Sequence, residues 1–218
     1  MRIFRMPIWL HRFFKQYTWK IPTTDSVIYL SFDDGPDPEV TPYVLQILET
    51  YQAKATFFCV GENLRRYPEV AADVRAKGHR IGNHTQHHLK GWTTSSEIYT
   101  QNITACQSYI GSIPEAPLFR PPYGRLSPKQ GRWILQQGYQ CIMWDILSFD
   151  YDRYLDTSWA INRIVKLSRK GSIIVFHDSQ KAKKQLEKLL PEYLSRMAQL
   201  GYRFELIPAN TPQTKGFQ

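Results

Sequence analysis

The chain has 218 residues, of which 42% are hydrophobic and 22% are charged. This balance is typical of a globular domain that buries a sizeable core, and it excludes intrinsic disorder, collagen-like repeats and coiled coils. The apolar runs are far shorter than the roughly 20 residues of a membrane-spanning helix. The three cysteines are an odd number at wide spacing, so we expect buried free thiols rather than disulfides or a four-cysteine zinc site.

The net charge of +9 has an uneven distribution, because five cations and six aromatic residues precede the first acid, Asp25. Cations interleaved with large rings are typical of an interfacial anchor on anionic lipid. The same rings could instead pack on the domain as an N-terminal flap. We define residues 1–24 as the leader and keep both interpretations, with residues 1–20 as the segment for peripheral membrane contact.

The remaining positive charge is spread along the chain, and we expect no nucleic-acid partner. Arg12 and Lys15 interrupt any apolar signal-peptide core, and no small-residue cleavage site follows them. We therefore expect neither a signal peptide nor a transmembrane helix, and a location in the cytoplasm or on the cytoplasmic face of the membrane.

Short β-rich runs alternate with helical patterns from residue 27 onward. Strands are predicted at residues 27–32, 55–60, 79–82, 118–120, 139–144, 172–177 and 202–206. Helices are predicted at residues 41–51, 68–77, 96–110, from 127 onward, 156–168 and 181–200. Each helical crossover returns the chain to the same end of the sheet, so the strands pair in parallel and the fold class is α/β. The domain spans residues 25–207, residues 208–218 form a C-terminal tail, and the apolar strands suit either a barrel or a doubly wound sheet.

Polar side chains gather where the predicted strands end, and in parallel α/β folds the chemistry collects at that end of the sheet. The relevant segments are Asp33 with Asp34, residues 83–88, residues 120–124, residues 144–150, and His177 with Asp178. We expect these five segments to converge on one opening at the carboxyl ends of the strands.

His84 and His88 are four residues apart, which places them on one side of a helical turn. With one carboxylate from another segment they make a site for one divalent metal, with zinc as the default ion. Asp33 and Asp34 are neighbours whose side chains diverge on an extended strand end. One of the two is therefore predicted to bind the metal while the other faces the substrate.

Four motifs resemble those of the polysaccharide deacetylases of carbohydrate esterase family 4, the NodB homology domain. They are residues 31–35 (SFDDG), 84–88 (HTQHH), 120–124 (RPPYG) and 175–177 (VFH), in the family's order. The resemblance covers roughly residues 25–206. It implies a distorted (β/α)7 barrel in a single domain, in which a metal-dependent reaction removes acetyl groups from N-acetylglucosamine units.

The resemblance also implies roles for individual residues. Asp33 matches the general base and His177 the general acid, while Asp34, His84 and His88 match the metal ligands. Further matches are Arg120, which holds the base, Asp150, which orients the catalytic histidine, Tyr123, whose backbone amide binds the oxyanion, and Val175, which lies beside the acetyl methyl.

The fourth motif departs from the family pattern. Leu147 stands where an acid is frequent, and Tyr151 replaces a tryptophan of the substrate-site wall. Trp144 and Tyr151 remain candidates for stacking on a sugar face. The departure affects the expected substrate shape more than the expected reaction.

The leading hypothesis is a zinc-dependent N-deacetylase of peptidoglycan or chitooligosaccharide, with cobalt or nickel as alternative metals. A deacylase or deformylase of a lipid-linked aminosugar keeps the same fold and metal. A catalytically silent carbohydrate-binding module is the third alternative. A glycosidase is disfavoured, because the adjacent Asp33 and Asp34 do not supply two carboxylates roughly 5 to 9.5 Å apart across a bond.

Overall fold

The computed structural model describes residues 2–111 and 115–209, and its helices and strands alternate as the sequence predicts. The strands are Val27–Asp33 (β1), Ala55–Cys59 (β2), Arg80–Asn83 (β3), Leu118–Phe119 (β4), Gln140–Cys141 (β5), Ile146–Leu147 (β6), Ile173–His177 (β7) and Arg203–Phe204 (β8). The helices are Ile8–Phe13 (α1), Val40–Thr50 (α2), Gly61–Arg66 (α3), Pro68–Ala76 (α4), Ser96–Ile110 (α5), Pro128–Gln136 (α6), Thr157–Leu167 (α7) and Lys183–Gln199 (α8). Residues 210–218 of the predicted tail lie outside the described residues.

All strand pairs are parallel, in the order β5-β4-β3-β2-β1-β7-β6, with β8 added beside β1. The strands β5 and β6 follow one another along the chain but lie at opposite ends of this order. One chain segment therefore pairs with β4 at its start and with β7 at its end, and this curls the sheet into a distorted barrel. The α/β prediction is confirmed, and of its two architectures the barrel is the one found.

Two details differ from the sequence prediction. Of the strand predicted at residues 139–144, only Gln140–Cys141 pairs, and a second strand that was not predicted follows at Ile146–Leu147, because the chain bends from β4 towards β7. The helices α1 and α3 were not predicted, since both are only six residues long. In the described part of the chain, no helix has the length and apolar character needed to cross a membrane.

The leader pairs with the segment that joins β5 to β6. Residues 4–6 form backbone hydrogen bonds with residues 145–147, and Thr18 pairs in the same way with residues 141–143. The rings of Phe4 and Trp19 are buried, whereas Trp9 is 58% exposed and Phe13 is 76% exposed. The leader thus packs on the barrel through some of its rings and presents others to solvent.

The core is centred on β1, all of whose residues are buried. The ring of Phe32 stacks on Phe57 at 5.0 Å and on Phe176 at 6.0 Å between centroids, which ties β1 to both of its neighbours. Each such ring contributes about 1.5–3 kcal/mol when it is fully buried. The three cysteines are buried and free, as predicted.

Candidate active site

The carboxyl ends of the strands open into one cleft of about 640 Å³. Its lining contains every predicted metal ligand, the predicted base and acid, and all four predicted substrate-site residues, together with Leu147 of the fourth motif. These residues are Asp33, Asp34, His84, His88, Tyr123, Trp144, Leu147, Tyr151, Val175 and His177. The structure therefore brings together segments that are up to 144 positions apart along the chain, from Asp33 to His177.

Asp34, His84 and His88 offer three ligand atoms that lie within 4.8 Å of one another. Asp34 Oδ1 is 3.1 Å from His88 Nε2 and 3.7 Å from His84 Nε2. The sequence suggested that the two histidines share one side of a helical turn, but the structure has no helix at these residues. They lie in a loop after β3, and His88 reaches Asp34 because its backbone is left-handed, with φ of 53°.

The electrostatics of this trio fit a divalent cation. The ring of His84 donates from Nδ1 to the backbone oxygen of Arg120 at 2.8 Å, which leaves the lone pair of Nε2 facing Asp34. Burial lowers the pKa of His84 to about 4, so the ring is neutral at pH 7. Burial acts to raise the pKa of Asp34, but the hydrogen bond from His88 and the nearby histidines outweigh it and hold the pKa below its ordinary value. A neutral imidazole and an ionised carboxylate are the forms that coordinate metal.

Asp33 diverges from Asp34 and pairs with Arg120. Arg120 Nη1 lies 2.7 Å from Asp33 Oδ1 and 2.8 Å from the hydroxyl oxygen of Ser31. The rest of the guanidinium donates to the backbone oxygens of Ile142 at 3.1 Å and Met143 at 3.0 Å. Because Arg120 is fully buried and bonded on every side, it holds the Asp33 carboxylate in one orientation.

His177 is held by Asp150 through two contacts of 2.7 Å, one from its backbone nitrogen and one from Nδ1. Burial alone lowers the pKa of His177, but the charge of Asp150 and the hydrogen bond to it outweigh burial and raise the pKa to about 9. The ring is therefore protonated at pH 7. Because Nδ1 contacts Asp150, the other ring nitrogen, Nε2, is left to donate a proton in the cleft.

The remaining predicted residues form the walls. Tyr123 has φ of 58° and is 53% exposed, and its ring lies edge-on to His88 at 4.8 Å. Tyr151 lies edge-on to His177 at 4.9 Å. Val175 is buried on β7. The indole nitrogen of Trp144 is buried without a hydrogen-bond partner among the described residues.

Sequence reasoning assigned no site role to several residues that line the cleft, namely Lys90, Thr93, Arg125 and Lys181. Lys181 Nζ lies 5.2 Å from the ring centroid of Tyr151, and Lys90 Nζ lies at the same distance from that of Tyr123. Lys90 and Arg125 lie in loops and Lys181 lies at the start of the predicted helix 181–200, so no periodic pattern places these cations at the site and only the fold reveals that they face it.

The family model described as polysaccharide deacetylase matches residues 20–142. The chain belongs to the polysaccharide deacetylase family. A peptidoglycan-N-acetylglucosamine deacetylase of Bacillus cereus is 34% identical over 198 residues, covering 87% of this chain and 90% of the relative. A chitooligosaccharide deacetylase of Azorhizobium caulinodans is 34% identical over 162 residues, covering 73% and 77% of the two chains.

The fold is shared with solved members of the family. The crystal structure of a peptidoglycan N-acetylglucosamine deacetylase in complex with 4-naphthalen-1-yl-N-oxidanyl-benzamide superposes with a TM-score of 0.80. The two chains are 27% identical, and the match covers 98% of this chain and 100% of the other. The distorted (β/α)7 barrel implied by the motifs is thereby confirmed. The family is metal-dependent, and Asp34, His84 and His88 form the group of described residues that could hold an ion.

Proposed function

We propose that this chain is a metal-dependent hydrolase that removes N-acetyl groups from N-acetylglucosamine units of peptidoglycan or chitooligosaccharide type. The observation that carries the proposal is the arrangement around the Asp34, His84 and His88 cluster. An arginine-held carboxylate, Asp33, lies on one side of the cluster, and a carboxylate-held histidine, His177, completes the cleft. The substrate class comes from the two relatives, a peptidoglycan-N-acetylglucosamine deacetylase and a chitooligosaccharide deacetylase.

The reaction adds water to the acetyl carbonyl carbon, breaks the carbon–nitrogen bond and releases acetate and a free amine. Asp33 takes the proton of the attacking water, and His177 gives a proton to the departing nitrogen. When bound by the three ligands, a divalent cation polarises the carbonyl and lowers the pKa of the attacking water to roughly 7. The Tyr123 backbone amide is proposed to stabilise the oxyanion by about 3 to 4 kcal/mol, as other donors of this kind do.

Zinc is the metal that we propose, because two imidazole nitrogens and one carboxylate oxygen are a donor set that zinc prefers in hydrolytic sites. Cobalt and nickel accept the same ligands and remain alternatives. Metal content after purification without added metal, followed by reloading with each ion, will rank the three.

Acetate release from chitooligosaccharides and peptidoglycan fragments tests the function directly. We expect zinc-dependent release that a chelator abolishes, and loss of at least about 10²-fold with His84→Ala. The matched control is His87→Ala, which removes an exposed histidine of the same loop and should leave the rate unchanged. Activity that survives chelation would contradict the proposal.

A catalytically silent carbohydrate-binding module remains the contrasting hypothesis. The base, the acid and the three ligand positions are all occupied by residues able to react, which favours an enzyme. Glycan binding by calorimetry, without acetate release under any metal, would favour the silent module instead.

We also propose that the exposed part of the leader contacts an anionic membrane surface. The rings of Trp9 and Phe13 pack edge-on at 6.2 Å and both face solvent, with the exposed cations Arg12 and Lys15 beside them. A bilayer interface accepts rings while its phosphates attract cations. The compartment in which this contact would occur stays a prediction from the sequence.

Sedimentation with phosphatidylglycerol vesicles, compared with phosphatidylcholine vesicles, tests this contact. The variant is a double substitution, Trp9→Ser with Phe13→Ser, because removal of the whole leader would also remove the buried Phe4 and Trp19. We expect wild type to sediment with the anionic vesicles only and the variant with neither. Equal sedimentation of the two proteins would contradict the proposal.

A further inference from the structure

A second groove, of about 910 Å³, lies between the leader and the start of α6. The leader contributes Met6, Phe14, Tyr17 and Trp19 to its walls, and α6 contributes Leu135. Most of the other lining residues are also apolar or aromatic. Its volume falls in the range of roughly 300–1,000 Å³ that holds a small-molecule ligand.

The leader wall of this groove is built into the fold. Thr18 is fixed by backbone hydrogen bonds to residues 141–143, and Trp19 Nε1 donates to the backbone oxygen of Phe14 at 3.1 Å. Tyr17 packs so closely on α6 that a Cβ on Gly131 would lie 2.1 Å from its hydroxyl oxygen. Glycine at that position therefore lets the aromatic wall approach the helix.

The groove adjoins the catalytic cleft. Trp92, Tyr123, Arg125 and Trp144 line both spaces, so they form the boundary between them. A ligand whose acetylated sugar occupies the cleft would enter the groove by extending past these four residues.

The charges of the groove indicate which chemical group of a ligand would follow the sugar into it. Among the described residues that line it, Arg125 and Arg132 are the charged side chains, and both are positive. Arg125 lies at the boundary, with its guanidinium 4.6 Å from the ring centroid of Trp92. A further glycan chain would bury hydroxyls against apolar walls that offer few partners, which is unfavourable. A phosphate beside the arginines, followed by a hydrocarbon chain, matches both features of the groove.

We propose that this groove binds the hydrocarbon chain of a lipid carrier that holds the N-acetylated aminosugar through phosphate. The sugar then occupies the cleft, the phosphate contacts Arg125 and Arg132, and the chain lies against the leader and α6. The inference rests on the proposed deacetylase function and extends its substrate class to a lipid-linked aminosugar.

The test compares two substrates that differ only in the chain. One is N-acetylglucosamine diphosphate carrying a farnesyl group, and the other is the same sugar diphosphate carrying a methyl group. A chitooligosaccharide serves as a third substrate. With zinc-loaded wild type, we expect kcat/KM for the farnesyl compound to exceed that for the methyl compound by roughly 10²-fold, because several CH₂ groups become buried.

Two variants of groove residues outside the cleft sharpen the test. Arg132→Glu should lower kcat/KM for the farnesyl compound by about 10-fold or more, the usual effect of losing a charged hydrogen bond. Leu135→Gln should lower it by roughly 5-fold to 10-fold through lost apolar contact. Both variants should leave chitooligosaccharide deacetylation within about 2-fold of wild type. The matched controls are Lys129→Glu, an exposed cation on α6 outside the groove, and Leu200→Gln, an exposed leucine beyond α8.

Equal kcat/KM for the farnesyl and methyl compounds would overturn the inference while leaving the deacetylase function intact. If Arg132→Glu and Leu135→Gln lowered kcat/KM for the chitooligosaccharide as much as for the farnesyl compound, with unchanged thermal melting, the groove would be assigned to glycan. This result would also overturn the inference. Absence of acetate release from all three substrates would remove the proposed function itself, and the inference with it.

Discussion

Asp33 and His177 occupy paired positions on the neighbouring parallel strands β1 and β7. Their side chains line the same cleft, yet each is held from a different direction, Asp33 by Arg120 and His177 by Asp150. The sheet therefore fixes the spacing between the proposed base and the proposed acid, while a separate buried partner fixes the orientation of each side chain. The first two predictions below act on those partners.

Asp150→Asn should shift the alkaline limit of activity to lower pH. Asp150 keeps the pKa of His177 at about 9 against the opposing effect of burial, so the ring stays protonated and able to donate up to that pH. The asparagine has nearly the same shape but no charge, and the pKa of His177 should fall by at least about one unit. The pH profile of kcat/KM between pH 6 and 10 measures this. The control is Asp152→Asn, which removes a nearby half-buried carboxylate that pairs with Arg2 and does not contact His177. An unmoved alkaline limb in Asp150→Asn would contradict the assignment.

Arg120→Lys should lower kcat more than it changes KM. A lysine keeps the positive charge but cannot donate to Asp33 and to the backbone oxygens of Ile142 and Met143 at once. The carboxylate would lose its fixed orientation, and misplacement of about 1 Å costs roughly 10²-fold in rate.

The control for that change is Arg80→Lys. Arg80 also donates to a backbone oxygen, that of Ile207 at 2.7 Å, but it lies outside the cleft lining. Steady-state kinetics of both variants, with melting curves to verify folding, separate the two sites. Arg120→Lys with the kcat of wild type would show that the orientation of Asp33 is not set by the guanidinium.

Asp178→Asn should make the stability of the folded protein less sensitive to rising pH. Asp178 is fully buried, its Oδ2 accepts a hydrogen bond from Thr41 at 2.6 Å, and its Oδ1 has no partner among the described residues. Burial raises the pKa of this carboxyl well above its ordinary value, despite the opposing bond from Thr41. The folded protein therefore holds a proton that the unfolded chain releases above about pH 4.

That difference fixes the sign of the stability change. The contribution of Asp178 to folding is fully present below the ordinary aspartate pKa and is lost as pH rises towards the raised value. The melting temperature of Asp178→Asn minus that of wild type should therefore increase from pH 5 to pH 8, measured at the same zinc concentration. Asp25→Asn, at an exposed position, supplies the control. A melting-temperature difference that stays constant with pH would show that Asp178 does not carry the proton.

Metal removal should lower the melting temperature of the wild-type protein. An ion held by Asp34, His84 and His88 binds the folded chain alone, and at 100 times its dissociation constant it stabilises by about 2.7 kcal/mol. For a chain of this size that corresponds to roughly 5–10 °C. Thermal melting with zinc and with chelator measures the shift. His87→Ala should retain it and His84→Ala should lose it, and a shift that persists in His84→Ala would place the ion elsewhere.

The sequence predicted the convergence of the site because its strand ends carry the polar residues, and parallel strands end at one face. The separate positions of Asp33 and Asp34 followed from the alternation of side chains along a strand. In contrast, the route by which His88 reaches Asp34 could not be predicted. It depends on left-handed backbone at Asp34, Thr85 and His88, a conformation that these residue types do not require.

The leader shows a different limit of sequence reasoning. Its composition indicated both packing and exposure, and the structure divides its rings between the two. Which rings pack depends on long-range pairing with residues 141–147, and no local pattern encodes that pairing. The apolar groove beside α6 was missed for the same reason, since its walls come from distant segments.

The pairing of the leader also determines where the folding unit begins. The family match starts at residue 20, but backbone groups of residues 141–147 are satisfied by residues 4–6 and Thr18. A polypeptide that began at residue 20 would leave two strand edges with unpaired backbone amide and carbonyl groups. Such edges pair with other chains and cause aggregation. Recombinant production of the barrel therefore calls for the native first twenty residues to be kept.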